Sequence, residues 1–397
     1  MVTTLFIGLV SFVWLRLLAI FVLVLADHAC RTRRPVTALN TPLTDITVVI
    51  PALQEAQGVG TTLDSVRDAV NKGAGLVVVD DGSSDRTAEI VSEKLALLGH
   101  GQLVRHERNM GKAVALNTGI REVTTPFVLT LDADTIVSRD AIEKAAQFLR
   151  SDDASAQRYA VVAFDVSVIP SESLFAELQA TEYDASLNFE RRGQAVVHAV
   201  SVAPGAASLW RIADLRAIGG FSSATVTEDV DATLRLAARG RRAAHVLGAQ
   251  ALTGTPTTFA QLTAQRRRWC LGHYQGIVHL AKSLGGDMIF TTLTYPNFVL
   301  LSAFMPLMCA LSLMTLFATP GTWIATLGWL TVVWLATVYA QRLVALMLIG
   351  RRVRLAAFLI EPFSTQFVHF CAMMLVFYAI AGSAIGVRSD VWATRAR

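Results

Sequence analysis

The chain has 397 residues, with 35 Lys plus Arg against 31 Asp plus Glu and a formal net charge of +4. Charged residues make up 17% and hydrophobic residues 53%, against roughly 25% charge in ordinary soluble chains, which excludes an intrinsically disordered chain and a small secreted disulfide protein. The apolar excess gathers at the two ends while the middle reads as a soluble domain, so a membrane-attached protein is the starting class.

Residues 5–26 form an apolar run interrupted only by Arg16, and about 20 apolar residues cross the hydrocarbon core. Positive charge follows the run, in Arg31, Arg33 and Arg34, where a cleaved signal peptide would carry it in front. The run is therefore read as an uncleaved helix with Arg16 snorkelling or facing protein.

The middle alternates strands with helices. Ile46 to Ile50, Leu76 to Val79, Phe127 to Leu131 and Ala160 to Phe164 are short apolar runs. Helical patterns stand between or after them, around 60–71, 85–98, 111–121 and 140–150. Strands buried on both faces and joined by helices predict an α/β fold with a mostly parallel sheet. Ligands of such sheets bind beyond the carboxyl ends of the strands. The first three strands each run into acidic or polar residues there: Gln54 and Glu55, then Asp80 and Asp81, then Asp132 and Asp134. A lone Asp after a strand is usually a turn former or cap, the reading preferred for Asp85; three acidic strand ends are harder to dismiss.

In Asp132-Ala133-Asp134 the carboxylates stand at i and i+2 of an extended chain, so they point the same way and repel unless a cation lies between them. Hard divalent ions are commonly held by one or two carboxylates plus substrate phosphates, a need that a nucleotide diphosphate meets. No phosphate loop of the Walker type and no dinucleotide fingerprint replaces them: Gly111-Lys112 lacks the earlier glycine and the following hydroxyl, and Gly58-Val59-Gly60 lacks a third glycine.

Further along, Thr227-Glu228-Asp229-Val230-Asp231 opens a helical pattern that Gly240 closes. Acidic residues at a helix start balance its dipole, the favoured account of Asp231 and of Glu228; Asp229 stays open. Gln265-Arg266-Arg267-Arg268-Trp269 precedes the C-terminal apolar region, where basic residues and Trp also serve as membrane-surface anchors.

Three more apolar stretches, 288–319, 322–341 and 362–387, bring the expected spans to about four. Arg31, Arg33 and Arg34, with Arg351, Arg352 and Arg354, place the middle of the chain on the cytoplasmic side. Parity then sends the C-terminus outside, against the preference of Arg388, Arg395 and Arg397, which leaves room for one re-entrant stretch near Pro296, Pro306 or Pro362. The expected organisation is a transmembrane helix over 1–30, a cytoplasmic domain over 45–256, amphipathic interface helices over 257–287, a membrane region over 288–387 and a tail over 388–397. Basic clusters at membrane boundaries favour anionic lipid as a partner over nucleic acid. Cys30, Cys270, Cys309 and Cys371 have no paired spacing, so neither a disulfide framework nor a zinc site is indicated.

The ordered set Pro51-Ala52-Leu53-Gln54-Glu55, Asp80-Asp81-Gly82-Ser83, Asn109 to Asn117, Asp132-Ala133-Asp134, Thr227-Glu228-Asp229 and Gln265 to Trp269 resembles the membrane-integrated, processive family-2 glycosyltransferases. These include poly-N-acetylglucosamine, hyaluronan, chitin and cellulose synthases. The resemblance covers about residues 45–275 and implies a GT-A-type nucleotide-diphospho-sugar transferase domain inserted between transmembrane helices of an inner membrane. It implies that Pro51, Ala52, Glu55, Asp80, Asp81 and Lys112 line the uridine side of a UDP-sugar pocket. Asp132, Ala133 and Asp134 would lie near ribose and a Mg2+ or Mn2+ ion, with Asp134 the first choice as ligand and Asp132 the second. It further implies that Glu228, Gln265, Arg268 and Trp269 face the diphosphate and acceptor, and that Asp229 is the general base of an inverting transfer.

The segments Phe164-Asp165-Val166 and Val202-Ala203-Pro204-Gly205 depart from the usual pattern near the acceptor, so sugar identity transfers least. N-acetylglucosamine is the favoured sugar by resemblance alone. The expected product is a β-linked polysaccharide that the spans would pass across the membrane, with a small accessory membrane subunit among the implied partners. Two rivals stand beside this reading. One is a single-addition transferase acting on a lipid acceptor. The other is a transporter or receptor that only senses nucleotide-sugar and has no need of Asp229.

Overall fold

The computed structural model describes residues 2–31, 41–151, 156–284, 286–300, 302, 320–350 and 353–384. Eight strands build one sheet: β1 Ile46–Ala52, β2 Gly75–Asp80, β3 Gln102–Arg105, β4 Phe127–Leu131, β5 Thr135–Val137, β6 Tyr159–Val168, β7 Ala207–Arg211 and β8 Arg242–Thr253. Their order is β3-β2-β1-β4-β7-β6-β8-β5. The half from β3 to β4 is parallel throughout. It is also the half whose strands are most legible, since every residue of β1 and β4 is buried and both faces carry helices.

The other half is mixed, so the sheet is mostly parallel, with four of its seven strand pairs parallel among the described residues. β7 runs antiparallel to β4 and β6, β5 runs antiparallel to β8, and only β6 and β8 are parallel there. After β6 the chain leaves on a long helical excursion before β7, so β7 re-enters from the opposite direction rather than through a βαβ crossover. Pairing persists past the end of β4, where Asp132 N–H donates to Ala206 O at 3.0 Å.

The helices following α1 Val2–Arg31 are α2 Val59–Asn71, α3 Thr87–Leu98, α4 Lys112–Glu122, α5 Ala141–Arg150, α6 Leu174–Glu182, α7 Phe189–Val196, α8 Ile212–Ala217, α9 Glu228–Ala238 and α10 Phe259–Leu280. Alternation along β1 divides the core: Val48 and Ile50 join the cluster containing Leu63 and Val66 of α2, while Val49 joins Ala115, Leu116 and Ile120 of α4. Gly119 makes the second face fit, because a Cβ there would stand 2.4 Å from Val49 Cγ1. Such an overlap would force α4 off the sheet.

Between α6 and α7 the helix widens into a π turn over Tyr183–Asn188. This continuous stretch is what the long apolar helices grip. Arg16 of α1, rather than snorkelling, forms an ion pair with Glu190 and donates from Nε to Asn297 Oδ1 at 2.6 Å. Asp27 pairs with Arg192 at 2.7 Å. Ile20 and Val24 of α1 pack with Ala185, Phe189, Ala345 and Leu346.

Three described helical segments are long and apolar enough to cross a membrane: Ser11–Ala29, Val332–Ile349 and Leu355–Val376. The last two belong to helices Pro320–Ile349 and Leu355–Ala384; the first runs past the apolar stretch expected at 322–341 at both ends, and the second begins before the one expected at 362–387. The reason is one buried pair. Arg342 and Glu361, whose charges end the apolar runs in the sequence, neutralise each other across the two helices, with Arg342 Nη2 donating to Glu361 Oε1 at 3.0 Å. Pro362 lies inside its helix without breaking it. Most of the stretch expected at 288–319, with Pro306 and Cys309, lies outside the described residues, as do Arg33, Arg34, Arg351, Arg352 and the tail. Cys270 and Cys371 are free thiols.

Candidate active site

The acidic strand ends arrive at one rim of the sheet, but they are treated differently there. Asp80 is fully buried; its Oδ1 accepts from Ser83 N–H at 3.1 Å. Arg105 Nε lies 2.9 Å from its other oxygen, in an orientation too bent for a hydrogen bond. Asp81, also buried, accepts from Met110 N–H at 2.9 Å and Gly111 N–H at 2.8 Å, and shares a 2.6 Å hydrogen bond with His106. Asp81 thus fastens the loop before α4 to β2, while Asp80 holds the turn that follows β2. Pro51 and Ala52 end β1 as buried backbone, and Ala133 is buried with its carbonyl accepting from Thr62 Oγ1 at 2.8 Å. Asp85 accepts from Thr87 and Ala56 N–H, a turn-forming role.

A second group surrounds Lys112 at the start of α4. Its Nζ stands 2.5 Å from Asp132 Oδ1 and 3.3 Å from Glu228 Oε1. Burial works against the ammonium, yet the carboxylates of Asp132, Glu228 and Asp229 outweigh it and raise its pKa. Burial pushes Asp132 up to about 6, against the pull of Lys112 and with the push of Asp134. Asp229, at the start of α9, is raised by burial and by Glu228, with Lys112 and two backbone N–H groups opposing. Those N–H groups hold both of its oxygens: Gly205 donates to Oδ2 at 2.7 Å and Val230 to Oδ1 at 2.9 Å. Gly205 permits the close approach, since a Cβ would stand 3.1 Å from Asp229 Oδ2 and 3.2 Å from Lys112 Nζ. Asp231, by contrast, is buried against Arg235 at 2.6 Å and His279 at 3.0 Å, a structural role.

Asp134 is half-buried. Among the described residues its side-chain oxygens meet only the hydroxyls of Thr135 at 3.3 Å and Thr253 at 3.5 Å. Glu55 lies near enough that burial, then the charges of Asp134, Asp132 and Asp85, raise it to about 7. Among the described residues no three Asp, Glu, His or Cys side chains converge as a ready-made metal cage. One under-compensated carboxylate with a second close by suits a divalent cation that takes its remaining ligands from phosphate and water.

The run Gln265 to Trp269 lies on α10, which packs along the helix Leu355–Ala384; Phe259 and Phe367 rings stand 6.2 Å apart. Arg268 is exposed and Gln265 half-buried. Trp269 packs against the main core of the sheet domain rather than standing free as a surface anchor. The arginine that the sequence does not single out, Arg266, is 1% exposed, paired with Glu182 at 2.5 Å and stacked with its Cζ 4.0 Å from the Trp269 ring centroid. Nothing local in three consecutive arginines marks which one is buried; only the helical phase set by Glu182 does.

Residues 47–213 match the family described as Glycosyl transferase family 2. The poly-beta-1,6-N-acetyl-D-glucosamine synthase of Staphylococcus aureus (strain COL) is 28% identical over 233 residues, 59% of this chain and 55% of that protein. The protein of the same name from Staphylococcus epidermidis is 27% identical over 231 residues, 58% and 55% of the two chains. The chain thus spans about half the length of the curated relatives it matches. Among solved structures, a mannosyltransferase from Pyrobaculum calidifontis, in complex with GDP-Man and Mn2+, aligns with a TM-score of 0.65 at 19% identity, covering 95% of this chain and 97% of that one. That likeness is one of fold.

Proposed function

We propose that the chain, whose residues 47–213 match Glycosyl transferase family 2, polymerises N-acetylglucosamine from a UDP-sugar into a β-linked polysaccharide at a membrane. The observation that carries the reading is the group formed by Lys112, Asp132, Glu228 and Asp229 at the strand-end rim, with Asp229 held by two N–H groups. The sugar comes from the names of the relatives, and the membrane from the three apolar helices.

In this reading an acceptor hydroxyl oxygen attacks the anomeric carbon from the side opposite UDP. The bond from that carbon to the phosphate oxygen breaks, UDP departs with the electron pair, and Asp229 takes the hydroxyl proton. One displacement inverts the centre. The raised pKa of Asp229 makes it a stronger base than an exposed aspartate, and its two N–H donors fix the direction of its lone pairs. Asp134, with Asp132 as second choice, would hold Mg2+ or Mn2+, which would stabilise the charge developing on the departing diphosphate. Lys112 and the exposed Arg268 supply further positive charge on that side. Gln265 would hydrogen-bond the diphosphate, and Trp269 would offer a flat face for a sugar ring. Asp80 through the turn after β2 and Asp81 through the loop before α4 shape the uridine wall, and Pro51, Ala52 and Glu55 line it.

The test uses the full chain in detergent or lipid, with UDP-N-acetylglucosamine and Mg2+ or Mn2+. UDP release and a product many sugars long are expected, and Asp229→Asn abolishes turnover while UDP still binds. A single sugar added to lipid would replace the polymerase reading, and turnover unaffected by Asp229→Asn would remove that residue from the chemistry.

A further inference from the structure

Arg266 has the geometry of a jig rather than of a ligand contact. It is among the largest fully buried side chains described, and a buried guanidinium needs its charge and its donors satisfied. Both terminal nitrogens and the flat face are engaged. Nη2 bonds Glu182 Oε2 at 2.5 Å, Nη1 bonds Gln265 Oε1 at 2.6 Å, and the cation lies 4.0 Å from the centroid of Trp269. One rigid plane thus sets both Gln265 and Trp269, the two residues placed at diphosphate and sugar in the reading above. Lysine could match the charge but not the flat face or the fork.

Glu182 is fixed in its turn. It is the last residue of α6, where the helix opens into the π turn Tyr183–Asn188, a distortion common at functional sites. Gln341, from the helix Pro320–Ile349, donates to Ala185 O inside that turn at 3.3 Å. The ring of Tyr183, the first residue of the turn, stands 6.4 Å from Trp269. Tyr183 also lies within the electrostatic reach of both Arg266 and Asp134, which links the Trp269 wall to the acidic rim.

We propose that Glu182 and Arg266 are positioning residues for the transferase: together they orient Trp269 toward the acceptor sugar, and the helices Pro320–Ile349 and Leu355–Ala384 hold Glu182 in register through the π turn. The proposal rests on the transferase reading, and its test separates the two. Initial rates are measured on the full chain in lipid with UDP-N-acetylglucosamine and a soluble β-linked N-acetylglucosamine oligosaccharide as added acceptor. Arg266→Lys, which keeps the ion pair and loses the plane, raises acceptor KM roughly tenfold, the size of a lost buried cation–π contact. Donor KM stays within about twofold of the parent and the product shortens. Glu182→Gln shows the same split. Where that variant does not fold, the double substitution Glu182→Leu with Arg266→Met replaces the pair by apolar groups of similar volume and is expected to bind UDP with the same acceptor defect. Parental acceptor KM and product length in these variants, or equal loss of donor and acceptor affinity, overturns the proposal. No UDP release by the parent overturns the transferase reading itself.

Discussion

Asp80-Asp81 and Asp132-Ala133-Asp134 both follow buried apolar strands, and in the sequence they look like two copies of one device. In the fold they do opposite work. Asp81 is buried and its two oxygens accept from two N–H groups and share a bond with His106. Asp132 meets a single lysine, and Asp134 meets two distant hydroxyls. The first pair is scaffold and the second is left short of positive charge. A carboxylate whose hydrogen-bonding capacity is filled by its own fold has little left for a ligand, whereas one held in repulsion with its neighbours is poised to accept a cation.

The largest effects should separate the two pairs most cleanly. Asp134→Ala is expected to lower turnover by about a thousandfold through loss of transition-state charge stabilisation, while its thermal midpoint is not lowered; a clear loss of stability would instead class Asp134 with the scaffold. Asp81→Ala should do the reverse. It leaves the N–H of Met110 without its acceptor and that of Gly111 with only Asn109 Oδ1, and is expected to cost about 1–3 kcal/mol in denaturant unfolding; full stability with lost turnover would erase the distinction drawn above. Gly205→Ala comes next. The new Cβ presses on Asp229 and Lys112, an overpacking cost of about 1–3 kcal/mol, and turnover measured at saturating donor should fall roughly tenfold.

The smallest effect concerns Glu55. Its folded pKa of about 7 lies above the ordinary 4.5, so its ionisation opposes folding. In metal-free protein, stability should fall as pH rises between those two values, because the folded state keeps a proton that the unfolded chain has released. Glu55→Gln should flatten that slope and gain about 1–2 kcal/mol above pH 7 after solvent screening. A slope identical to the parent's would mean that the acidic rim is already neutralised.

Much of the parallel half was legible because Val and Ile runs bounded by polar strand ends carry both the strand and its direction. β3 was missed because it is a four-residue edge strand with exposed ends, and β8 because its alanine-rich start has weak strand preference. The site was legible as a set of residues, but their division of labour was not. The partners of Asp81 come from a loop some 25–30 residues later, and the partner of Arg266 stands 84 residues earlier. No local pattern contains such distances. The same holds for Arg342 and Glu361, which single-helix hydropathy reads as two ends rather than one bond.

That bond bears on how the protein is made. Either helix alone would carry a naked charge into hydrocarbon, at a cost of roughly 3 kcal/mol on insertion scales; joined as in the fold, the two present a neutral hairpin. On the reading that both helices span a membrane, passage into lipid as one concerted unit is favoured, and a chain arrested after Ile349 would hold an arginine waiting for its glutamate.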